Sequence, residues 1–367
     1  MTITKAKVAI IAGQLVVGGA ERQLYLWLAN LDREKFDVIV LTLHPDHGDY
    51  WEEPIKDLGI SIFKIPPMKN RLKRLRRILL VLEAFKPDLI HGWHLFASPY
   101  AALAAKRLGA KSIGGIRSSL NYKKGIPFEL FLSLILIDQM ITNSSEAAKR
   151  LSRYNFPGKK ISIVQNGFEP RQVDREAKRI SLAKEFKVDP QQVWICTIGR
   201  MIPTKKFDFL VKMCAELFGG RKDFHCFLIG DGPERIYLES LAGDLSVSDL
   251  LTFTGEIPNA ESFLAAMDIF CFPSVDEGMP NVIIEAAAVG LPVVAWDLPF
   301  NNEILSPETA ILVPPGDENS FKNRVFELFS SDEKRLRLGT SAKEMVASRF
   351  SLSKYIHELT NIYDSLI

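Results

Sequence analysis

The sequence predicts an α/β protein with two domains, each built on a parallel sheet with helices packed against it. Three observations support this prediction. The chain has 367 residues, which is too long for one average domain and suits two. Short apolar segments alternate with helical patterns, as they do in parallel β–α–β units. The order of strand, glycine turn and helix starts again in the second half, so we expect two Rossmann-like domains that face each other across a cleft.

The composition excludes several classes of protein. Hydrophobic residues make up 47% of the chain, which is ample for two cores. The formal net charge is only +2, so we expect no nucleic-acid partner, because nucleic-acid binders carry a concentrated basic surface. The cysteines are scattered through apolar segments without a C-x-x-C pair, which favours reduced core cysteines over a zinc site or disulfides. They are Cys196, Cys214, Cys226 and Cys271.

No targeting or membrane-spanning segment is predicted. Residues 1–7 are polar and the apolar segment after them breaks at Gly13, unlike a signal peptide. The longest lipophilic stretch, 126–137, contains a proline and a glutamate and is too short to cross a bilayer. We therefore expect a cytoplasmic protein whose membrane contact, if any, is peripheral and at the inner face of the membrane.

The first domain is predicted to comprise residues 1–170. It begins with the strand Val8–Ala12, a loop that contains Gly13, Gly18 and Gly19, and a helix with apolar residues at helical spacing. Such a loop suits a phosphate, but its spacing is neither G-x-G-x-x-G nor G-x-x-x-x-G-K. The core positions of that helix are Leu24, Trp27, Leu28 and Leu31. Further strands are predicted at 36–43, 59–65, 88–91, 111–116, 139–143 and 161–164.

A basic segment at Lys69–Arg77 contains six basic residues in nine and continues into an apolar helical pattern. One interpretation is the basic face of an amphipathic helix that lies on anionic lipid. The other is a solvated helix face, and the sequence does not choose between them.

Polar residues follow two predicted strands of the first domain. His91 and His94 flank Trp93 at the end of one strand, and Arg117 follows the next. The carboxyl ends of parallel strands are where such sheets bind ligands, so these side chains suit contact with a sugar or a phosphate. The alternatives are a core-capping role for the histidines and a structural ion pair for Arg117.

A polar, charged segment at 171–192 is the predicted linker. The second domain, 193–350, begins with strand Val193–Ile198, and a C-terminal helix is predicted within 351–367. Another helix is expected at 321–328. Further strands are predicted at 225–229, 251–254, 269–272 and 293–295.

The loop after Val193–Ile198 is a candidate diphosphate site. Gly199 lets a ligand approach the backbone, Arg200 offers a planar fork, and Lys205 offers a point charge. Solvated cations without a ligand are the alternative.

The segment 269–295 is the second candidate site. A buried strand leads into a loop with Glu277, and an apolar helix restarts at Pro280 and ends at Gly290. Free N–H groups at the start of that helix favour an anion. Glu285 lies among apolar residues, where a carboxylate needs hydrogen bonds such as ribose hydroxyls supply. The alternative makes both glutamates solvated surface residues.

Four motifs in one order carry a family resemblance. They are Gly18-Gly19-Ala20-Glu21, Gly199-Arg200 with Lys205, Gly230-Asp231-Gly232-Pro233, and Glu277-Gly278-Met279-Pro280-Asn281 with Glu285. In this order they resemble the retaining family 4 glycosyltransferases, which have the GT-B fold. The similarity covers nearly the whole chain and implies that the final helix, 351–367, crosses back to the first domain.

The resemblance implies roles for named residues. Arg200 and Lys205 would hold the donor diphosphate, Glu285 the ribose and Glu277 the hydroxyls of the transferred sugar. The residues expected to bind the donor are Gly18, Gly19, Gly199, Arg200, Lys205, Gly278, Met279, Pro280, Asn281, Val282 and Glu285. The residues expected to act in catalysis are Glu277, Arg200, Lys205, His94 and Arg117.

Two positions depart from the family pattern. Lys206 stands where a glycine commonly follows the lysine, and Arg117 stands where some members have a histidine. Any histidine role would therefore fall to His91 or His94.

The implied function is transfer of a sugar, with retention, from a UDP- or GDP-linked donor to a lipid-linked sugar or polysaccharide. No cofactor is expected, and no metal, because fixed cations at the phosphate can stabilise the leaving group. Front-face and covalent mechanisms both remain open. A sugar-nucleotide epimerase and a non-catalytic sugar-nucleotide-binding protein are the alternative functions.

Overall fold

The computed structural model describes residues 5–46, 48–117, 128–153, 160–169, 172–258 and 260–367. It divides into two compact units. The first unit comprises Met1–Gly167 together with Leu352–Ile367, and the second comprises Phe168–Ser351. Residues 352–367 therefore belong with the first unit, although they follow the second in sequence.

The described residues form thirteen strands and fifteen α-helices. The strands are β1 (Ala6–Ala12), β2 (Phe36–Thr42), β3 (Ser61–Lys64), β4 (Leu89–Gly92), β5 (Lys111–Ile116), β6 (Gln139–Thr142), β7 (Lys160–Ile163), β8 (Val193–Ile198), β9 (Phe224–Ile229), β10 (Leu251–Gly255), β11 (Ile269–Phe272), β12 (Val293–Trp296) and β13 (Ile311–Val313). The helices are α1 (Gly19–Ala29), α2 (Glu52–Asp57), α3 (Arg71–Phe85), α4 (Ser98–Leu108), α5 (Phe128–Leu136), α6 (Ser145–Ser152), α7 (Arg175–Phe186), α8 (Phe207–Phe218), α9 (Arg235–Asp244), α10 (Glu261–Ala265), α11 (Asn281–Ala288), α12 (Pro299–Asn302), α13 (Glu318–Phe329), α14 (Asp332–Arg349) and α15 (Leu352–Asp364).

The first unit is built on a parallel sheet in the order β3-β2-β1-β4-β5-β6-β7. In its register, Ile10 of β1 lies opposite Val40 on one side and His91 on the other. Separate apolar clusters cover the two faces of the sheet, which explains why its central strands are continuous apolar segments. The predicted core of α1 is confirmed, because Leu24, Trp27, Leu28 and Leu31 are all buried.

Helix α15 completes the core of the first unit. Its Tyr355 hydroxyl donates to the Gln23 carbonyl at 3.1 Å. Its Tyr363 hydroxyl lies 2.6 Å from Nδ1 of His91. Both tyrosines are fully buried, so this helix is part of the packing of the unit.

The second unit has the sheet order β10-β9-β8-β11-β12-β13, and all its strand pairs are parallel. In both units the strand order reverses beside the first strand, which is the Rossmann arrangement. The prediction of two Rossmann-like α/β domains is therefore confirmed.

The segment predicted as a linker, 171–192, contains helix α7, and its residue 171 lies outside the described residues. Leu182 of α7 is buried in the core of the second unit. Arg179 donates to the carboxylate of Asp268 at 2.9 Å and stacks 4.2 Å from the ring of Trp194. This helix is therefore packed as part of the second unit.

Helix α14 approaches α11 through two glycines. A Cβ on Gly339 would lie 1.9 Å from the carbonyl oxygen of Gly290, so only glycine permits this approach. Gly290 has φ +79° and follows the end of α11, as predicted.

The four cysteines are free and buried, which confirms their predicted place in the core. In the described part of the chain, no helix combines the length and the apolar character needed to span a membrane.

Candidate functional site

The candidate site of the second unit begins with the loop after β8. The N–H of Gly199 donates to the Ile229 carbonyl at 3.0 Å. The chain then turns through a short 3-10 helix at Pro203–Lys205. A Cβ on Gly199 would lie only 3.5 Å from Cδ of Lys205, so the lysine side chain passes directly over the glycine.

The residue after this lysine keeps a glycine-like backbone. Lys206 has φ +56°, which is left-handed and costs an L residue about 1 kcal/mol. The turn expected of a glycine is therefore formed at this departure from the family pattern.

Lys205 and Glu277 form the centre of the site. Lys205 Nζ is ion-paired with Glu277 Oε1, and their side chains are only 18% and 15% exposed. The hydroxyl of Ser274 donates to the same carboxylate oxygen at 2.8 Å. The N–H of Val275 donates to the Thr204 carbonyl at 2.9 Å, which ties the two loops together. The pair is therefore oriented by a fixed backbone contact.

Arg200 precedes Lys205 in the same loop, and its side chain is exposed. Within the described residues no ion pair to its guanidinium is found. This exposure fits a ligand contact and fits a solvated side chain equally, so the diphosphate role of Arg200 stays a prediction.

The N-terminus of helix α11 follows Glu277 closely in the chain. Pro280 precedes the helix and no side-chain hydrogen bond caps it, and the positive end of a helix dipole favours an anion. Glu277 itself lies before the helix, in the loop that follows β11. Glu285 lies within the helix and is buried at 9% exposure, which contradicts the interpretation of Glu285 as a solvated surface residue.

The other donor-binding residues predicted in the second unit lie at the same end of its sheet. Gly278, Met279, Asn281 and Val282 surround Pro280 in the loop and the first turn of α11, where Met279 is buried.

A glycine turn after β9 supports the β8 loop. Gly230 has φ +127°, and a Cβ there would lie 2.0 Å from the Gly199 carbonyl oxygen. A Cβ on Gly232 would lie 2.5 Å from the Met201 carbonyl oxygen. These glycines allow backbone to pack on backbone, so their role is to position the loop that carries Lys205.

The first unit holds a different set of side chains after β1. Gly18 precedes α1, and a Cβ on it would lie 2.3 Å from Oε2 of Glu21. The other carboxylate oxygen of Glu21 lies 3.3 Å from Nε2 of His94. Nδ1 of His94 is buried and has no hydrogen-bond partner in the described part of the chain. Gly18, Gly19 and His94 are thus close together, with a carboxylate between them.

Arg117 lies on an aromatic ring and beside an amide. Its guanidinium is 3.8 Å from the ring centroid of Trp93, and Nη1 lies 3.4 Å from Oδ1 of Asn166. Its Nε and Nη2 are buried without a hydrogen-bond partner among the described residues, and no ion pair to it is found there.

His91 is a core residue. It is fully buried, and burial, with the positive charge of Arg117 nearby, holds its pKa well below the usual value. Of the two histidines considered for a functional role, only His94 remains a candidate.

Two residues of these sets were not predicted as site residues. Glu21 stands directly after the glycine pair in the first turn of α1, which is the signal that could have identified it. Ser274 carries no such signal, because a lone serine after a strand is common.

The second unit can therefore hold an anion and a polyhydroxyl group together. Lys205 and Arg200 carry positive charge, the N-terminus of α11 is the positive end of a helix dipole, and Glu277 can accept from hydroxyls. Among the described residues no three His, Cys, Asp or Glu side chains are grouped to hold a metal ion.

Two family models match the chain. The model of glycosyl transferases group 1 matches residues 192–331, and that of glycosyltransferase family 4 matches residues 17–172. Together they cover most of both units.

Individual relatives extend the match along the chain. The lipopolysaccharide core biosynthesis glycosyltransferase LpsD of Rhizobium meliloti is 24% identical over 95% of this chain and 95% of its own length. A GDP-mannose-dependent alpha-mannosyltransferase of Mycolicibacterium smegmatis is 25% identical over 94% of this chain and 93% of its own. The crystal structure of Anabaena HepE with UDP and glucose superposes with a TM-score of 0.86 at 17% identity, covering 98% of this chain and all of that one.

Proposed function

The chain belongs to glycosyltransferase family 4 and is a glycosyltransferase, and we propose that it transfers a sugar, with retention, from a UDP- or GDP-linked donor to a lipid-linked sugar or polysaccharide. The observation that carries this proposal is the Lys205–Glu277 pair in loops at the same end of the sheet as the N-terminus of α11. This pair brings together, at one end of one sheet, a cation that can stabilise the leaving diphosphate and a carboxylate that can accept hydrogen bonds from the sugar.

Each residue has a proposed role in the donor complex. Lys205 and Arg200 neutralise the diphosphate, and the backbone of 278–282 donates to the phosphate or the sugar. Glu285 accepts from the ribose hydroxyls, and Glu277 from hydroxyls of the sugar.

The first unit supplies the remaining residues of the proposed mechanism. We propose that Gly18 and Gly19 contact the sugar or the acceptor, and that His94 and Arg117 are further polar contacts. Nδ1 of His94, which lacks a hydrogen-bond partner in the described part of the chain, supports this role because it can accept from a hydroxyl.

The chemistry follows from where charge develops. When the bond between sugar and phosphate breaks, positive charge grows at the anomeric carbon and negative charge on the leaving diphosphate. Cations already oriented at the phosphate stabilise that charge without reorganisation. We therefore propose that Arg200 and Lys205 do the work that a metal ion does in other transferases.

The relatives support the choice of substrates. HepE was crystallised with UDP, and the mycobacterial relative is named for a GDP-mannose donor. LpsD is named for lipopolysaccharide core biosynthesis, and a lipopolysaccharide is a saccharide joined to a lipid. We propose the same acceptor class here, at the inner face of the membrane.

A donor panel tests the proposal. Purified protein is incubated with UDP- and GDP-linked hexoses, with and without EDTA, and nucleotide release is followed. We expect slow release of the nucleotide from one donor, at a rate that EDTA does not change. NMR of the product should show the same anomeric configuration, axial or equatorial, as the donor sugar has. A new sugar nucleotide would indicate epimerisation, and binding without turnover would indicate a non-catalytic protein. Inversion at the anomeric carbon would refute retention.

A further inference from the structure

The first unit contains a cavity of about 480 Å³ between α3, α4 and α5. This volume lies within the range of roughly 300–1,000 Å³ that is typical of small-molecule sites. The lining is mainly apolar and includes Leu72, Leu75, Tyr100, Leu103 and Leu132. An apolar lining of this size is suited to a hydrocarbon, because a nucleotide or sugar would leave its polar groups without partners.

Large apolar side chains at the rim of this cavity are exposed to solvent. Leu72 on α3 is 72% exposed, and Phe128 on α5 is 58% exposed. Phe131 and Ile135 follow Phe128 at i+3 and i+7 and are also exposed, so one face of α5 is an apolar stripe. Contiguous exposed apolar surface is typical of contact with a membrane or an apolar ligand.

The same cavity carries positive charge on its α3 side. Arg71 and Arg74 contribute to the lining, and no acidic residue is found among the described lining residues. Arg74 Nη2 donates to the Met68 carbonyl at 2.6 Å, and its guanidinium lies 5.9 Å from the ring centroid of Tyr100. Its Nε is buried and has no hydrogen-bond partner in the described residues.

The position of these cations favours an anion nearby. Arg71 and Arg74 lie in the first turn of α3, which contains no acidic residue. Cations at the N-terminus of a helix are repelled by its dipole. A negatively charged group at this end would be favoured by the helix dipole and would supply an acceptor for Arg74.

We propose that this cavity binds the hydrocarbon chain of an anionic amphiphile, and that this amphiphile is the lipid carrier of the acceptor. The chain lies among the leucines of α3 and α4, and its phosphate lies against Arg71 and Arg74. The exposed apolar face of α5 rests at the surface of the membrane from which the lipid enters. The identity of the amphiphile as acceptor rests on the proposed glycosyl transfer, whereas the binding of the chain does not.

The first test measures binding of decyl phosphate, below its micellar concentration, to the full chain by calorimetry. We expect one saturable site in the wild-type protein. Leu103→Trp fills the cavity and Leu72→Asp places a negative charge at its rim, and each should weaken binding about tenfold or more. Leu80→Asp is the matched control, because Leu80 is on the same helix and 60% exposed but does not line the cavity.

The second test separates the chain from the charge. Arg71→Gln should weaken the binding of decyl phosphate about fivefold and change the affinity for the neutral decyl glucoside by less than about twofold. Arg107→Gln on α4 should change neither affinity. Inorganic phosphate alone should bind far more weakly than decyl phosphate. Far-UV circular dichroism of each variant verifies that it is folded.

Several results would overturn the proposal. The first is that the wild type shows no saturable binding of decyl phosphate, or that Leu103→Trp and Leu72→Asp bind it as tightly as the wild type does. The second is that Leu80→Asp loses as much affinity as the cavity variants do, or that inorganic phosphate binds as tightly as decyl phosphate. The third is that the protein binds only to anionic vesicles. The last result would mean surface adsorption without a chain site.

A variant in the second unit distinguishes this proposal from glycosyl transfer. Lys205→Ala should lose donor turnover and keep decyl phosphate binding. Donor turnover without amphiphile binding would refute the cavity site alone, and amphiphile binding without turnover on any donor would refute the glycosyl-transfer proposal alone.

Discussion

The two units share one topology but differ in charge where their strand order reverses. In the first unit, the carboxylate of Glu21 occupies the space beside Gly18 and contacts His94. In the second unit, the side chain of Lys205 covers Gly199 and is paired with Glu277. Each loop contains a glycine, but the side chain beside that glycine is a carboxylate in the first unit and an ammonium group in the second.

The shared topology places a loop at the same end of each sheet, whereas the charge of the side chains in that loop determines which ligand it can bind. A phosphate near Gly18 would be repelled by Glu21, whereas hydroxyl groups would find the carboxylate of Glu21 and Nδ1 of His94, which has no hydrogen-bond partner among the described residues. A diphosphate is better placed at the second unit, beside Lys205 and Arg200. The predictions below challenge this division of roles.

The largest expected effect is at Lys205. Because its charge would stabilise the leaving diphosphate, Lys205→Ala should lower kcat/KM about 100- to 1,000-fold. The control is Lys206→Ala, which removes an exposed neighbouring cation and should cost less than about threefold. Steady-state nucleotide release measures both. Equal losses in the two variants would show that net charge, and not the oriented pair, matters.

The second effect is the dependence of the stability of the second unit on pH, through its buried His225. Burial lowers the pKa of His225 to about 4 from its usual 6.5, so the unfolded chain takes up this proton at a higher pH than the folded second unit does. Stability should be full above pH 6.5 and should fall by roughly 3 kcal/mol as the pH drops to 4.

Urea unfolding at pH 7 and pH 4.5 tests this dependence. His225→Gln, which can still reach Thr252, should reduce the loss of stability in acid, and His357→Gln on the surface should not. The first unit keeps its own buried His91 in every variant. An unchanged acid loss in His225→Gln would assign the dependence to other groups.

The third effect separates binding from turnover within the second unit. Glu285→Gln should weaken nucleotide binding about tenfold, since a hydrogen bond to a charged group contributes about 1.5–3 kcal/mol. Glu277→Gln should lower kcat by a similar factor and change the nucleotide Kd little. Calorimetry with UDP and GDP, beside initial rates, distinguishes them. If Glu285→Gln binds nucleotide as the wild type does, the ribose assignment is wrong.

The smallest effect concerns the turn that follows Lys205. Since Lys206 has a left-handed backbone, Lys206→Gly should stabilise the second unit by up to about 1 kcal/mol. Lys222→Gly, in a loop with ordinary φ, should give no gain. Thermal melts of the two variants provide the measurement, and a lower melting temperature for Lys206→Gly would imply that the side chain has a contact of its own.

The strands were the most predictable part of the fold. The bounds of β5, β8 and β11 match the sequence prediction residue for residue. These strands lie inside parallel sheets with helices on both faces, so each is a short continuous apolar segment that ends at a turn.

Helix α14 was not predicted, although it is 18 residues long. Its sequence is mostly polar, and it buries only Leu338, Gly339, Ala342 and Val346. Leu338, Ala342 and Val346 recur every four residues and follow the cap Ser331, which is the signal that was present. The approach of Gly339 to Gly290 depends on tertiary packing and has no local signature.

The sequence predicted most residues of the candidate site, but it did not predict which of them contact one another. Lys205 and Glu277 were identified, yet 72 residues separate them, and no spacing rule predicts that they form an ion pair. The same holds for Glu21 and His94. Each contact depends on which strands become neighbours in the sheet, and that order is a property of the whole fold.

Because α15 supplies Tyr355 and Tyr363 to the first unit, the core of that unit draws on segments that precede and follow the second unit in the sequence. Residues 168–351 are therefore synthesised between the two parts of the first unit. During translation, the first unit cannot complete its core until the whole of the second unit has been made.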